Sequence, residues 1–389
     1  MFFYNLIYLL VWFLALVGFF VCYERPLYKL IFVIQAGILC GFSAFRFQTG
    51  YDWRVYREHF DAVASSVPYH LSFEPLYSLS VDLFVALGAN FSTFSVFFSF
   101  AVLLLMALGL WKLYKPVAVF VLPALYSIPD FYLIPSFSLM RQSMAAAFFI
   151  LGVALYFEGR NKTALLVFVL SCGFHFSAAL AVVTFFISLN WRATSRTLIA
   201  VFAVGAFLYF GGLDVPRHVI SYLAPVLGKY ALYGERDVYN ASFIYRLVFL
   251  GVSFLCFILL MWVARARQVK SNDYCRRLVV LAFLALVIPL YIFAMPTVST
   301  RYQYFFCFFL MGELALGLAL INQRSRVLIW FFLVFLLYVP FYRFLNAPLS
   351  IVYIPYQDIF TYDNESSSGS YRADKLLEML DSLWAEHLK

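Results

Sequence analysis

The feature that most limits what this chain can fold into is the recurrence of apolar runs near membrane-spanning length. A helix rises 1.5 Å per residue, so about 20 apolar residues cross the ~30 Å hydrocarbon core of a bilayer. Runs of that order lie at 2–23, 27–45, 92–111, 117–134, 139–157, 163–190, 197–213, 243–263, 278–295, 303–321 and 327–345. Helices satisfy their own backbone groups in lipid, and the expected fold is an all-α polytopic membrane protein with about 11–14 transmembrane helices. The mean hydropathy of +0.87 and the charged fraction of 12% agree. The net charge of +8 does not point to nucleic acid, because most basic residues sit in short clusters between apolar runs. They read as positive-inside topology signals.

The basic linkers are Arg25/Lys29, Lys112/Lys115, Arg160/Lys162, Arg192/Arg196, Arg265/Arg267/Lys270/Arg276/Arg277 and Arg324/Arg326. Placing all of them in the cytoplasm sets two parity conditions. First, only one of the segments 75–89 and 92–111 crosses; 75–89 is short, carries Asp82 in its middle and is expected not to cross. Second, 163–190 is long for one span and short for two, which suggests a tight helical hairpin bending at Gly173-Phe174-His175-Phe176-Ser177. A rival topology, with 75–89 spanning and 163–190 crossing once, puts Lys112, Lys115, Arg160 and Lys162 outside and breaks the positive-inside rule twice. The N-terminus lacks a basic n-region and a small-residue cleavage site, so it reads as a retained first span. Residues 1–362 are expected to form one polytopic membrane domain with outer loops near 46–74 and 211–242, and 363–389 a flexible linker and an amphipathic helix. That helix carries Leu376, Leu377, Leu380, Leu383, Trp384 and Leu388 on one face, and its acidic opposite face suggests packing on protein.

The outer face of this topology collects an unusual set of residues. From Phe45 to Phe60 the chain combines Arg46, Asp52, Arg54, Arg57, Glu58 and His59 with six aromatic rings. Gly50 suits a turn there, and Trp53, Tyr56 and Phe60 recur at helical spacing behind Asp52, a suitable N-terminal carboxylate. An interfacial aromatic anchor explains the rings but not the charged residues. Pro123, Pro129 and Pro135 break one span, which irregular backbone at membrane depth permits only where protein buries it or a cavity is wet; an outward cavity is expected.

Arg141, Arg246 and Arg301 stand at or near the outer ends of apolar runs. Each alone suits a snorkelling anchor, but with Arg46 they form a basic set fitted to bidentate recognition of a diphosphate. His175, the one histidine inside an apolar run, is either a hydrogen-bonded structural residue or a general base, and Asp52 is the rival base. No DxD, His-x3-His or cysteine-pair spacing supports a metal, a cofactor or a disulfide framework.

The series Phe45-Arg46…Gly50-Tyr51-Asp52-Trp53…Tyr56…Phe60, Glu74-Pro75, Arg141-Gln142-Ser143-Met144-Ala145, His175-Phe176-Ser177-Ala178 and Arg301-Tyr302 resembles the EpsG family of bacterial polysaccharide polymerases, over about residues 20–345. That family is similar in role to the Wzy O-antigen and exopolysaccharide polymerases. The resemblance implies a GT-C-like glycosyltransferase architecture, an acidic residue in the first large outer loop, here Asp52, and substrates carried on undecaprenyl pyrophosphate.

The function expected from the sequence is polymerisation of lipid-linked oligosaccharide repeat units at the periplasmic face of the bacterial inner membrane. Asp52 or His175 would be the base, and Arg46, Arg141, Arg246 and Arg301 would hold the pyrophosphate. Trp53, Tyr56, Tyr302 and Gln142 would meet the glycan. The expected partners are the lipid-linked donor and acceptor, the bilayer, and a protein that regulates chain length. Two alternatives differ in class. A lipid-linked oligosaccharide flippase should show symmetric halves with broken helices near mid-bilayer, and no repeat of that kind is present. A membrane O-acyltransferase would also use an intramembrane histidine but needs a donor route from the cytoplasm.

Overall fold

A computed structural model describes residues 1–191, 194–213, 218, 242–266, 273–362 and 368–387. Among them the protein is helical, with one isolated β-bridge between Arg46 and Asp358. Seven helices are long and apolar enough to cross a membrane, counting 91–127 as one, and a pair bent by 58° at Pro296–Gln303 and Cys307–Leu320 makes an eighth. This is a polytopic membrane protein. The other expected crossings are shorter apolar helices, including Asn161–Phe174, Ser177–Asn190 and Ser195–Gly211. The chain divides into two compact units, Met1–Phe176 with Gln323–Lys389, and Ser177–Asn322. The expected outer loop at 211–242 and the linker from Asp363 lie mostly outside the described residues.

In the first unit, α1 (Phe2–Phe19), α2 (Pro26–Ala44), α5 (Phe91–Tyr114) and α6 (Ala118–Ser127) pack antiparallel in succession. The apolar stretch 91–127 is too long to be a single span, at ~55 Å if straight. Ala107 and Leu122 line the same small cavity beside Ala36 and Leu39, so the chain folds back between them, at the 3-10 turn Lys115–Val117. Gln35, fully buried, donates to the carbonyls of both Val11 and Val119 and ties α2 to α1 and α6. Next come the short α7 (Leu133–Ser138), α8 (Met140–Phe157) and α9 (Asn161–Phe174). After the second unit, a helix over Gln323–Leu345 rejoins the bundle, with Trp330 against Trp12 and Tyr338 against Tyr8.

The basic linkers of this unit gather at one end. Lys112 Nζ reaches Glu158 Oε1 at 2.6 Å, Lys115 lies over the Tyr23 ring, Tyr28 lies against Trp111, and Arg326 lies over Phe19. With α5 and α8 both ending there, the rival topology fails: Lys112, Lys115, Arg160 and Lys162 share the end that holds Arg25 and Lys29. By the positive-inside rule this end is cytoplasmic.

The opposite end carries the elements that build the site. The helix α4 (Pro75–Ala86) has 12 residues, about 18 Å long. Its Tyr77 packs on Phe98 and its Phe84 on Phe94, so it runs outward alongside the first turns of α5 and does not cross. Above it, α3 (Trp53–Ala64) sets Phe60 on Phe94 and Tyr56 on Tyr77. Gly50 has φ +108, and a Cβ there would meet the Phe137 carbonyl oxygen at 2.4 Å, so the turn entering α3 admits no side chain. Residues 348–362 return across this end, with Phe47 N–H donating to Gln357 O and Ile359 N–H to Phe45 O.

The Pro-broken segment corrects one expectation. The backbone is irregular between α6 and α8, but protein, not a wet cavity, satisfies it. Ser143 Oγ donates to Pro135 O and Ser43 Oγ to Ser136 O, and the N–H groups of Phe131, Tyr132 and Ile134 turn back onto the carbonyls of Ile128 and Pro129. The two cavities beside it are about 10 Å³ each, the size of a single water.

In the second unit, Asp273–Tyr291 is the central helix, packed against Ser195–Gly211, Phe243–Ala266 and Cys307–Leu320. Tyr291 Oη donates to Val201 O and Gln303 Nε2 to Ala285 O.

Candidate functional site

The constellation at the outer end of the first unit is built around Glu74. Proline disfavours the helical region for the residue before it, and Glu74 is accordingly extended (φ −65°, ψ 149°) at the start of α4, with Pro75 as the first helical residue. Its carboxylate does not cap its own helix. Instead it accepts from Arg141 Nη1 in a tight ion pair, while His175 Nε2 stands 3.9 Å from its other oxygen. Glu74 is only 6% exposed, so this is a desolvated carboxylate held by two basic side chains from different helices. Arg141 occupies the first turn of α8, and His175 closes α9 in an extended conformation (φ −158°, ψ 124°), where the run 163–190 breaks as expected. Arg141 also lies over the Phe73 ring at 4.6 Å and the Tyr56 ring at 5.9 Å, contacts that favour a cation.

At 3.9 Å, Nε2 is beyond hydrogen-bond range of Glu74 but within range of an ion pair. The arrangement therefore offers a histidine backed by an acid and an arginine whose counter-charge an incoming anion can replace. Among the described residues no group of three or more His, Cys, Asp or Glu could hold a metal.

The other expected site residues divide clearly. Arg46 is buried, donates Nη1 to Ser43 O and Ser99 Oγ, and lies over the Phe137 ring at 5.4 Å, the setting of a structural peg. Burial pushes its guanidinium down to about 10, still cationic at neutral pH. Trp53 and Tyr56 lie on the inward face of α3, and both rings are buried. Tyr56 instead serves Arg141. Gln142 is likewise buried in α8. Asp52 stands at the start of α3 without capping it, and its charge acts on Tyr353. Arg246, Arg301 and Tyr302 belong to the second unit, where Tyr302 hydrogen-bonds Thr184.

Beneath α3, His59 is 7% exposed, with neither ring nitrogen hydrogen-bonded, and packs on Phe73 at 4.4 Å and Tyr77 at 6.0 Å. Burial pulls its imidazole below the ordinary value; Asp82 acts in the opposite direction and Arg141 in the same one. Phe73 is thus flanked by a neutral histidine and a cationic arginine.

A family profile matches the chain. The profile of the EpsG family covers residues 29–358, most of the chain and all of the constellation just described. The chain belongs to the EpsG family. EpsG proteins are Wzy-like polysaccharide polymerases, and a polymerase-type function follows for this multi-pass membrane protein. No curated protein and no solved structure matches the chain. Within this EpsG chain, Glu74 entered the sequence reading through the motif Glu74-Pro75, an acid directly before the proline that opens a helix, and was given no role there.

Proposed function

We propose that this EpsG protein joins lipid-linked oligosaccharide repeat units at the outer face of the bacterial inner membrane, using the Glu74–Arg141–His175 constellation. The observation that carries the proposal is a desolvated acid shared by an arginine and a histidine at the end opposite the basic linkers, in a chain of a polysaccharide polymerase family.

In this reading, a hydroxyl of one repeat unit attacks the anomeric carbon of the growing chain. The new glycosidic C–O bond forms as the bond from that carbon to the pyrophosphate oxygen breaks, and undecaprenyl pyrophosphate leaves with the bonding pair. His175 takes the hydroxyl proton through its ring, and Glu74 stabilises the resulting imidazolium. Arg141 turns from Glu74 toward the departing diphosphate, whose developing charge it stabilises with a planar, bidentate fork. Phe73 and Tyr56 keep the guanidinium oriented while it exchanges partners. Asp52 is the alternative base, and the pair is separated by comparing Asp52→Asn with His175→Ala.

The test is deletion of the gene followed by gel analysis of surface glycan. Loss of the ladder with a single-repeat product retained is the expected result. Total loss of the glycan would indicate a flippase and would overturn the proposal.

A further inference from the structure

The C-terminal helix α17 (Gly369–His387) falls beyond the 29–358 that match the family, yet it is fastened to residues inside that span. (The helices between α9 and it are α10, Ser177–Asn190, through α16, Gln323–Leu345.) Its anchor is Arg372, which is 2% exposed despite lying on a helix whose neighbours Tyr371 and Asp374 are exposed. Arg372 Nη1 donates to Pro355 O at 2.7 Å, and Nη2 to Gln48 O and Gln357 Oε1, both at 3.2 Å. One guanidinium thus holds two separate segments, the returning tail and the turn that leads into α3. Gln48 has the left-handed φ of 47°, unusual for a residue with a Cβ, and its carbonyl is one of those Arg372 holds. Fully burying a side chain of this kind is costly unless its donors are engaged. Here three acceptors engage both terminal nitrogens, while Nε is buried without a partner.

A second line of contacts leads inward from the same helix. Asp374 accepts from Arg54 at 2.6 Å, Arg54 Nε faces Glu58 at 3.5 Å, and Tyr69 Oη reaches Glu58 at 3.3 Å. Tyr69 stacks parallel to Phe73, whose ring lies under Arg141 beside Glu74. These charge pairs are exposed and contribute little individually. The buried Arg372 therefore supplies most of the attachment, and the Arg54 line gives the direction in which it acts.

We propose that Arg372 is a positioning residue, and that α17 is this chain's own clamp on the turn 46–52 and α3. Through them it sets the diphosphate side of the Glu74–Arg141–His175 site, where Phe73 lies under Arg141. The proposal rests on the polymerase reading above for its functional half and on geometry alone for its structural half. Two substitutions probe it independently. Arg372→Ala removes the anchor. Gly369→Ala keeps Arg372 but places a methyl 2.2 Å from Gln48 Cβ and 2.4 Å from Gln48 O, which wedges the start of α17 off the turn.

The experiment uses full-length protein in nanodiscs and reads two quantities: hydrogen exchange over residues 46–64, and polymerisation as a function of lipid-linked donor concentration. In both variants, exchange over 46–64 should accelerate tenfold or more while α8 and α9 stay unchanged. The donor KM should rise at least fivefold with kcat held within twofold, and Arg372→Lys, which keeps the charge but not the fork, should restore part of the KM. Unchanged exchange over 46–64 would overturn the clamp. Faster exchange with an unchanged donor KM would overturn the positioning role. If the parent protein polymerises nothing, the functional reading falls by itself, and the exchange measurement still decides the clamp.

Discussion

Removing the Glu74 carboxylate should destabilise the protein through Arg141, and the size of the loss can be worked from the burial of the two partners. The side chain of Glu74 is 8% exposed and that of Arg141 is 23% exposed. Deleting one partner of a buried ion pair typically costs about 3–5 kcal/mol, because the other charge is left without compensation. Water reaches part of Arg141, so Glu74→Ala should fall at or below the low end, about 2–3 kcal/mol. Arg141→Ala strands the more buried ion and also removes the contact with Phe73, for about 3–4 kcal/mol. Glu74→Gln keeps an acceptor oxygen and should cost less, about 1–2 kcal/mol. The double variant strands neither charge, so its loss should be smaller than the sum of the two alanine variants by about 2 kcal/mol. Unfolding in mixed detergent–SDS micelles measures all four. Losses that add within about 0.5 kcal/mol would refute the pairing on which the site is built.

Other expectations follow from single residues. His59 is held neutral by burial, so the unfolded chain binds its proton first. Its contribution should be complete above pH 6.5 and decline as the pH falls below that value, and His59→Phe should flatten the acid limb of an unfolding-versus-pH series. Arg46→Ala should lower stability by about 2–3 kcal/mol, through loss of its charged hydrogen bonds to Ser43 and Ser99, with no selective change in substrate kinetics. Arg301→Ala should cut polymerisation strongly, with lysine restoring only part; full activity in the alanine variant would reduce Arg301 to an anchor. Reporter fusions at Lys115 and Asn161 should both report cytoplasm, and a periplasmic signal at either would contradict the assignment of the basic end.

What could be read in advance depended on whether the signal was local. The break near His175 and the failure of 75–89 to cross were legible because segment length, Pro75 and the flanking basic residues are local properties. The pairing of Glu74 with Arg141 was not, since 67 residues separate them and no sequence periodicity reports a contact between helices. Trp53 and Tyr56, expected on display, are buried. Their spacing with Phe60 defines one face of α3, and an aromatic face at helical spacing is more readily a buried face than a displayed one. Arg46 was expected to face outward, as a charge beside an apolar run often does, whereas the returning residues 352–359 and α7 cover it.

The central claim is that the Glu74–Arg141–His175 constellation performs the polymerisation. The most direct test is a reconstituted reaction with purified protein and lipid-linked repeat units, comparing the parent with His175→Ala and Glu74→Gln at matched folded fraction. A drop of ~10²-fold or more in turnover for His175→Ala is predicted, with lipid-linked substrate still bound and a smaller loss for Glu74→Gln. Near-parental turnover in both variants would contradict the account.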